Sequence, residues 1–435
     1  MKDRVADFLE YVEKSPTAFH AVKNACGMLE KNGFVRLQEN TVWQLECGGK
    51  YYVTRNQSAV IAFSVPEGGF GPYQIVASHG DSPTFKLKPI AEEKVCGCYC
   101  RLNVEKYGGM ICSTWMDRPL SIAGRVLVRE GDGISSKLVD LDRDAVLIPN
   151  MPIHFNREIN DGYKFNPQVD LLPLYGEEDS YGRLKTELAD ACGVAPENIA
   201  GCDLFLYNRV SGSVWGADDV FFSCGRIDDL ECVWTSLTAF TQIGTEGHIN
   251  VCAILDNEEV GSGSKQGADS TFLRDVLTRI GNALGASDEE IRAAMAAGFM
   301  VSADNAHAIH PNHPEKFDAD NRVMMNKGVV IKQNANQKYT TDGASAAVFA
   351  AVCEKAGVPV QYFANRSDIP GGSTLGNISN AHVSMNTVDI GLAQLAMHSA
   401  YETAGTRDLE YMEKALKTFW ETEIIMNEDG RFTLY

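Results

Sequence analysis

The stretch that most constrains this chain runs Val251-Cys252-Ala253-Ile254-Leu255-Asp256-Asn257-Glu258-Glu259-Val260-Gly261-Ser262-Gly263-Ser264. Its first five residues are an apolar run of strand length, which predicts a buried strand. The glycines and serines at its end force a loop. Two adjacent glutamates therefore stand where a buried strand opens. Successive strand side chains point to opposite faces, so Glu258 and Glu259 serve one site only if the chain bends between them. Two carboxylates this close repel, and one keeps its proton unless a cation neutralises the pair. A metal is the natural cation, with one glutamate as ligand and the other as base. Taken alone, such spacing is commoner in solvated acidic loops. The rest of the chain tips the reading toward a metal.

Other elements break at ligand-type residues in the same way. Tyr73 to Ala77 reads as a strand and ends in Ser78-His79-Gly80-Asp81-Ser82-Pro83, where His79 suits a metal and Asp81 suits the imidazole behind it. Phe299 to Ala303 is a strand ending in Asp304. Gly225-Arg226-Ile227-Asp228-Asp229-Leu230 sets Asp228 at the start of a helix running to Phe240, where it serves as a ligand or as an N-terminal cap. A helix from about Ala393 carries His398. Around these, helices are predicted at residues 2–13, after Ser15-Pro16-Thr17, after the capping box Ser287-Asp288-Glu289-Glu290, and from Gly343 to Cys353. Strands are predicted at Tyr51–Thr54, Val60–Val65, Val329–Lys332, Val358–Phe363 and Thr387–Ile390. Such alternation predicts an α/β sandwich with a largely parallel sheet. Sites in such sheets gather outside the carboxyl ends of the strands. Two histidines with several carboxylates suit zinc or a similar divalent ion, and the surplus of carboxylates points to two metals sharing a bridge.

At 435 residues the chain exceeds one ordinary core, so two domains are expected. From about Ile90 to Gly212 the texture changes to short strands and turns, with β-branched runs such as Gly124–Val128 and Ala145–Pro149. An inserted domain over residues 91–211, between segments 1–90 and 212–435 of the first domain, accounts for this shift. It contains His154, in Ile153-His154-Phe155-Asn156-Arg157. The formal net charge of −19 comes without a basic cluster, which argues against nucleic acid and against an anionic membrane surface. The start, Met1-Lys2-Asp3-Arg4, lacks the apolar stretch of a signal peptide, and no run is long enough to span a bilayer. A cytoplasmic location with the twelve cysteines reduced is expected. No Cys-x-x-Cys pair is present to form a thiolate zinc site.

Five stretches, in order, resemble the aspartyl aminopeptidase family of dinuclear zinc exopeptidases. They are Ser78-His79-Gly80-Asp81-Ser82-Pro83, Arg226-Ile227-Asp228-Asp229-Leu230, Asp256-Asn257-Glu258-Glu259-Val260-Gly261-Ser262, Ser302-Ala303-Asp304-Asn305-Ala306-His307-Ala308-Ile309-His310-Pro311-Asn312, and Met397-His398-Ser399. The resemblance implies a three-layer α/β/α metallopeptidase domain with an inserted β-rich dimerisation domain. It implies two divalent metal ions, zinc first with cobalt or manganese as alternatives. Asp228 resembles the bridging ligand; His79 and Asp304 complete one metal site, and Glu259 and His398 the other. Glu258 resembles the general base that deprotonates the attacking water, and Asp81 the partner that supports the first site. Lys332 matches the anchor for an acidic substrate side chain. His154 matches a histidine that reaches into the dimer partner's active site. Asp229 stands where many relatives have a neutral residue and adds a carboxylate near the metals. The implied activity is removal of N-terminal residues, acidic ones first, from peptides with a free amino terminus. The implied assembly is a homodimer that builds a dodecamer.

Other readings weigh less. Gly261-Ser262-Gly263-Ser264-Lys265-Gln266-Gly267 has neither the dinucleotide nor the P-loop spacing. Ser262-x-x-Lys265 lacks the companion motifs of acyl-serine enzymes. An aminopeptidase preferring apolar N-terminal residues, a carboxypeptidase or amidohydrolase of similar fold, and a non-catalytic metal-stabilised scaffold are the alternatives. Against the scaffold stands Glu258, because a structural site needs ligands but no base.

Overall fold

Four adjacent strands buried along their whole length, Ala59–Ser64, Ile249–Leu255, Tyr73–His79 and Phe299–Ala303, form the middle of the central sheet. A computed structural model describes residues 2–435. The sheet has nine strands, in the order Val35–Leu37, Lys50–Arg55, Ala59–Ser64, Ile249–Leu255, Tyr73–His79, Phe299–Ala303, Asn386–Gly391, Val329–Gln333 and Val360–Ala364. Five of its eight neighbouring pairs are parallel. The other three are antiparallel, so the sheet is more mixed than the alternation of elements predicts.

Both faces of the sheet are covered, and the strand period of two sorts the side chains between them. Val60, Ala62, Val76, Cys252, Ile254 and Val301 enter one core, with Phe8, Val22, Leu237, Phe349 and Phe419 from the helices Lys2–Glu13, Ala18–Lys31, Ile227–Phe240, Gly343–Ala356 and Asp408–Glu421. Ile61, Phe63, Ile75, Val251, Ala253 and Met300 enter the other, with Phe272, Val276 and Ala294 from the helices Phe272–Ala283 and Asp288–Ala296. Each buried Val, Leu, Ile, Phe or Met among them contributes about 1.5–3 kcal/mol. The capping box at Ser287 forms as read: Ser287 donates its backbone N–H to Glu290, and the Glu290 N–H returns to Ser287 Oγ. Thr17 occupies the cap position of the helix Ala18–Lys31, one residue beyond Pro16.

A second sheet is antiparallel and drawn from residues between Thr84 and Asn208. Its six strands lie in the order Gly133–Asp140, Leu120–Glu130, Ile199–Asn208, Thr84–Val95, Tyr99–Tyr107 and Leu174–Glu177. It has its own core of Phe85, Leu102, Trp115, Ile122, Val126 and Leu204, closed by Leu184 and Leu188 of the helix Arg183–Cys192. The run at residues 145–149 forms only isolated bridges to Leu120, Leu174 and Met116. A five-stranded sheet joins Ser213–Trp215, Phe221–Cys224, Glu402–Gly405, Ala393–Leu395 and Ala306–His307.

His248, at the entry to the strand Ile249–Leu255, is buried. Burial lowers its imidazole from 6.5 to about 4. The folded protein therefore binds fewer protons here than the unfolded chain between these values. The stability tied to neutral His248 is fully present above pH 6.5 and is lost as pH falls to about 4. At about 1.4 kcal/mol per unit this amounts to about 3 kcal/mol. A His248→Leu variant should lose less melting temperature than the wild type between pH 7 and pH 4.5, followed by circular dichroism. Parallel pH curves for the two proteins would show that His248 carries none of the acid sensitivity.

Candidate metal centre

Three adjacent parallel strands deliver the first candidate ligands. In the register of the sheet, His79 at the end of Tyr73–His79 lies beside Leu255, and Ala77 beside Ser302. The chain leaves these strands at Gly80, Asp256 and Asp304, so His79, Glu258-Glu259 and Asp304 emerge at one end of the sheet. Asp228 and Asp229 sit in the first turn of Ile227–Phe240 with non-helical backbone angles, and the peptide between them is cis. Asp228 does not cap that helix. Its carboxylate turns toward the histidines instead.

His398 arrives differently from the expected helix. Ala393–Leu395 is a strand paired antiparallel with Glu402–Gly405, and the chain reverses between them, with Ala396 and His398 at positive φ. The helix-compatible composition of this segment is overridden by that pairing and by Glu402. One Glu402 oxygen accepts the His398 N–H at 2.7 Å, and the other accepts the Asp228 N–H at 3.1 Å.

The side chains converge around Asp228. Its Oδ1 is 3.4 Å from His79 Nε2, and its Oδ2 is 3.3 Å from His398 Nε2. His398 Nε2 is also 3.3 Å from Glu259 Oε2. Ligand atoms of His79, Asp228, Asp229 and Asp304 lie within 4.8 Å of one another, as do those of Asp228, Glu259 and His398, and those of His79, Glu258 and Glu259. Asp229 also accepts the His79 backbone N–H at 3.2 Å.

Asp81 does more than sit behind the imidazole. Its carboxylate lies 3.4 Å from His79 Nδ1. Its two oxygens also accept the backbone N–H groups of Glu258 and Glu259, each at 3.2 Å. The Tyr107 hydroxyl donates to the same group at 2.7 Å. One buried carboxylate thus fixes the bend that lets both glutamates face the site. Gly108, at positive φ, lets the neighbouring loop approach: a β carbon there would stand 3.1 Å from Glu259 Cβ. Glu402 and Tyr107 escape a reading of the sequence. A buried glutamate four residues after His398 is the only signal, and only the fold shows its burial.

The donor set suits a divalent ion. Buried oxygens on Asp228, Asp229 and Glu259 have no hydrogen-bond partner. Burial pushes Glu259 and Asp229 well above the usual carboxylate range. Burial also pushes Glu258 up to about 8, with His79 opposing and Asp304 and Asp81 adding to the shift. Burial opposes ionisation of Asp228 too, but the nearby His398 and His79 imidazoles outweigh it and hold its carboxyl below the ordinary range. Unpaired buried carboxylate oxygens beside two imidazoles are what a zinc-type cation satisfies, so the residues fit a metal centre.

Two predicted residues lie outside this cluster. Lys332 is buried in the strand Val329–Gln333 and donates to the Asp304 carbonyl at 2.8 Å, with Asp304 Oδ2 3.9 Å away. Burial works to lower its ammonium, Asp304 outweighs it, and the net shift is upward. His154 lies in an exposed turn and, among the described residues, meets none of the cluster in its own chain. Beside the cluster a cavity of about 270 Å³ is lined by His307, Lys316, Phe363, Arg366 and Met397.

Residues 11–420 match the family described as aminopeptidase I zinc metalloprotease (M18). The chain is 46% identical over 422 residues to a probable M18 family aminopeptidase 2 of Clostridium acetobutylicum, covering 95% of this chain and 97% of that one. It is 37% identical over 467 residues to aspartyl aminopeptidase 1 of Schizosaccharomyces pombe, covering 98% of each. Its backbone matches the structure of the S. cerevisiae mApe1 dodecamer with a TM-score of 0.85 at 27% identity, over 96% of each chain.

Proposed function

This chain belongs to the M18 family of zinc metalloaminopeptidases, and from that membership we propose that it hydrolyses acidic N-terminal residues, aspartate and glutamate, from peptides. The observation that carries the two-metal part of the reading is Asp228, whose two oxygens face two different histidines. In this reading His79, Asp228 and Asp304 hold one divalent ion, and Asp228, Glu259 and His398 hold the other. Zinc is the first choice, with cobalt or manganese accepting similar ligands. When bound, such ions polarise the scissile carbonyl and make water a nucleophile near neutral pH. Glu258 takes the proton of the attacking water and returns it to the leaving amine. Asp81 fixes the turn from which Glu258 acts, and Glu402 fixes the segments that carry Asp228 and His398.

The inserted unit, residues 91–211 between the segments 1–90 and 212–435, serves as the dimerisation domain. It supplies His154 to the partner's site. Dimers assemble further, as in the mApe1 dodecamer to which this chain is similar. The twelve cysteines are free, which supports a reducing cytoplasmic setting. Among the described residues no helix is long and apolar enough to cross a membrane.

The acidic preference rests on Lys332, whose buried ammonium stands beside Asp304. A buried ammonium that meets a substrate carboxylate rejects an apolar side chain, because the latter leaves it unpaired. Lys332→Met should lower kcat/KM for aspartyl and glutamyl dipeptides about 10- to 100-fold relative to leucyl ones. A panel of free and N-acetylated dipeptides, with metal analysis of the same preparation, tests the whole reading. Acetylated substrates should fail. Leucyl substrates outpacing acidic ones in the wild type would assign the apolar preference instead.

A further inference from the structure

The segments that carry Asp228, Asp304 and His398 meet at one side chain outside the ligand set. Asn305 follows Asp304 in the two-residue gap where the chain leaves the central sheet at Ala303 and enters the five-stranded sheet at Ala306. Its side-chain N–H groups donate to Glu231 Oε2 and to Gln394 Oε1, each at 3.0 Å. Its Oδ1 accepts from the Cys232 thiol at 3.1 Å. Glu231 and Cys232 belong to the helix Ile227–Phe240, which carries Asp228 in its first turn. Gln394 belongs to the strand Ala393–Leu395, just ahead of the reversal that carries His398. All four side chains are buried.

The backbone is irregular at each of these three ligands. Asp228 has non-helical angles, Asp304 lies between two strands, and His398 stands at positive φ. The spacing of the ligands therefore depends on contacts between segments. Glu402 ties the backbones of Asp228 and His398 together. Asn305 brings in the segment of Asp304. The Lys332 ammonium holds the main chain at the same point, donating to the Asp304 and Asn305 carbonyls at 2.8 and 3.4 Å. Among the described residues, Asn305 is the side-chain hydrogen-bond partner of both Glu231 and Gln394, whose other polar atoms, Glu231 Oε1 and Gln394 Nε2, are buried without one. Without the Asn305 amide both side chains would be buried wholly unpaired, a cost that the segments relieve only by shifting.

We propose that Asn305 is a positioning residue of the metal centre: its amide sets the spacing of the Asp228, Asp304 and His398 segments, and through that spacing the affinity for the ions. The inference rests on the two-ion reading of the centre and extends it to a residue that is not one of the ligands.

The test measures zinc affinity of the intact protein by competition with a chromophoric chelator, while circular dichroism reports that each variant is folded. Asn305→Leu keeps the size of the side chain and removes its hydrogen bonds. It should weaken zinc binding about 10- to 100-fold, the range for residues that orient metal ligands. Cobalt loaded in place of zinc should show an altered visible absorption band in the same variant. Glu231→Gln keeps an acceptor for the Asn305 amide and should retain the wild-type affinity, whereas Glu231→Leu should weaken binding by a similar factor of about 10 to 100. A network that only holds the fold together would lower the melting temperature of the metal-free variants and leave the affinity and the cobalt band of the folded ones unchanged; that result overturns the proposal. So does a Glu231→Gln variant as weak as Glu231→Leu, since the charge of Glu231 would then be what acts. If Asn305→Leu fails to fold, the two Glu231 variants decide. Failure of the two-ion reading shows separately, as a wild-type zinc content below two ions per chain, and removes the basis of the inference. Two ions in the wild type with equal affinity in the variants overturns the inference alone.

Discussion

Replacing Glu258 by glutamine is expected to lower kcat about 100- to 10,000-fold while the metal content stays at the wild-type level. Glutamine keeps the size of the side chain, and the backbone N–H of residue 258 still reaches Asp81. What is lost is the carboxylate that accepts the proton of the attacking water. Glu259, not Glu258, approaches the second histidine at 3.3 Å, as the proposed division into base and ligand requires. The opposite assignment makes a distinct forecast, because Glu258 also belongs to a cluster with His79 and Glu259. If Glu258 is a ligand, the glutamine variant loses an ion, and elemental analysis beside the kinetics reports it. Depleted metal in the variant would exchange the roles of the two glutamates.

His154→Ala should lower kcat about 100- to 1000-fold, the range for a lost oxyanion donor, although His154 meets none of the metal cluster in its own chain. The loop that carries it exposes Met151, Ile153 and Phe155, the last at 84% of its surface. Neighbouring exposed apolar side chains of this kind mark interaction surfaces. Mixed oligomers separate action in the partner's site from action at home. One chain carries His154→Ala and the other Glu258→Ala, each inactive as a homo-oligomer. If His154 acts across the interface, a hetero-dimer has one site with an intact base from the first chain and an intact histidine from the second, and activity returns. Hetero-dimers shown to form without recovered activity would rule out the crossing. A fully active His154→Ala homo-oligomer would rule out any catalytic part.

Much of the fold was legible because most strands of the central sheet announce themselves locally; Val35–Leu37, three residues long and largely exposed, does not. Phe299–Ala303 matches its apolar run residue for residue, and Tyr73–His79 and Ile249–Leu255 extend theirs by a residue or two. His79, Glu258-Glu259 and Asp304 were legible for the same reason. Each follows a buried run directly, and parallel strands bring such ends together wherever they lie in the chain. The motif stretches carried the family, which the comparisons then showed. The six-stranded antiparallel sheet between Thr84 and Asn208 showed in the sequence as a change of texture, and the capping box at Ser287 through four residues.

Tertiary structure decided what depends on partners far apart in sequence. The segment around His398 has a helix-compatible composition, yet it turns back because Ala393–Leu395 pairs with Glu402–Gly405. Glu402 holds the Asp228 N–H across 174 residues and the His398 N–H across four, and nothing near it in the chain marks it for that work. Asp81 reads as a partner for one histidine, but its oxygens also hold the backbone of Glu258 and Glu259, 177 residues away. Between Asp228 and Asp229, only the approach of two histidines to opposite oxygens of Asp228 distinguishes the neighbours. Local sequence carries burial and period, which are properties of a few adjacent residues. Which carboxylate meets which amide or imidazole is set by packing, where distance along the chain no longer measures distance in space.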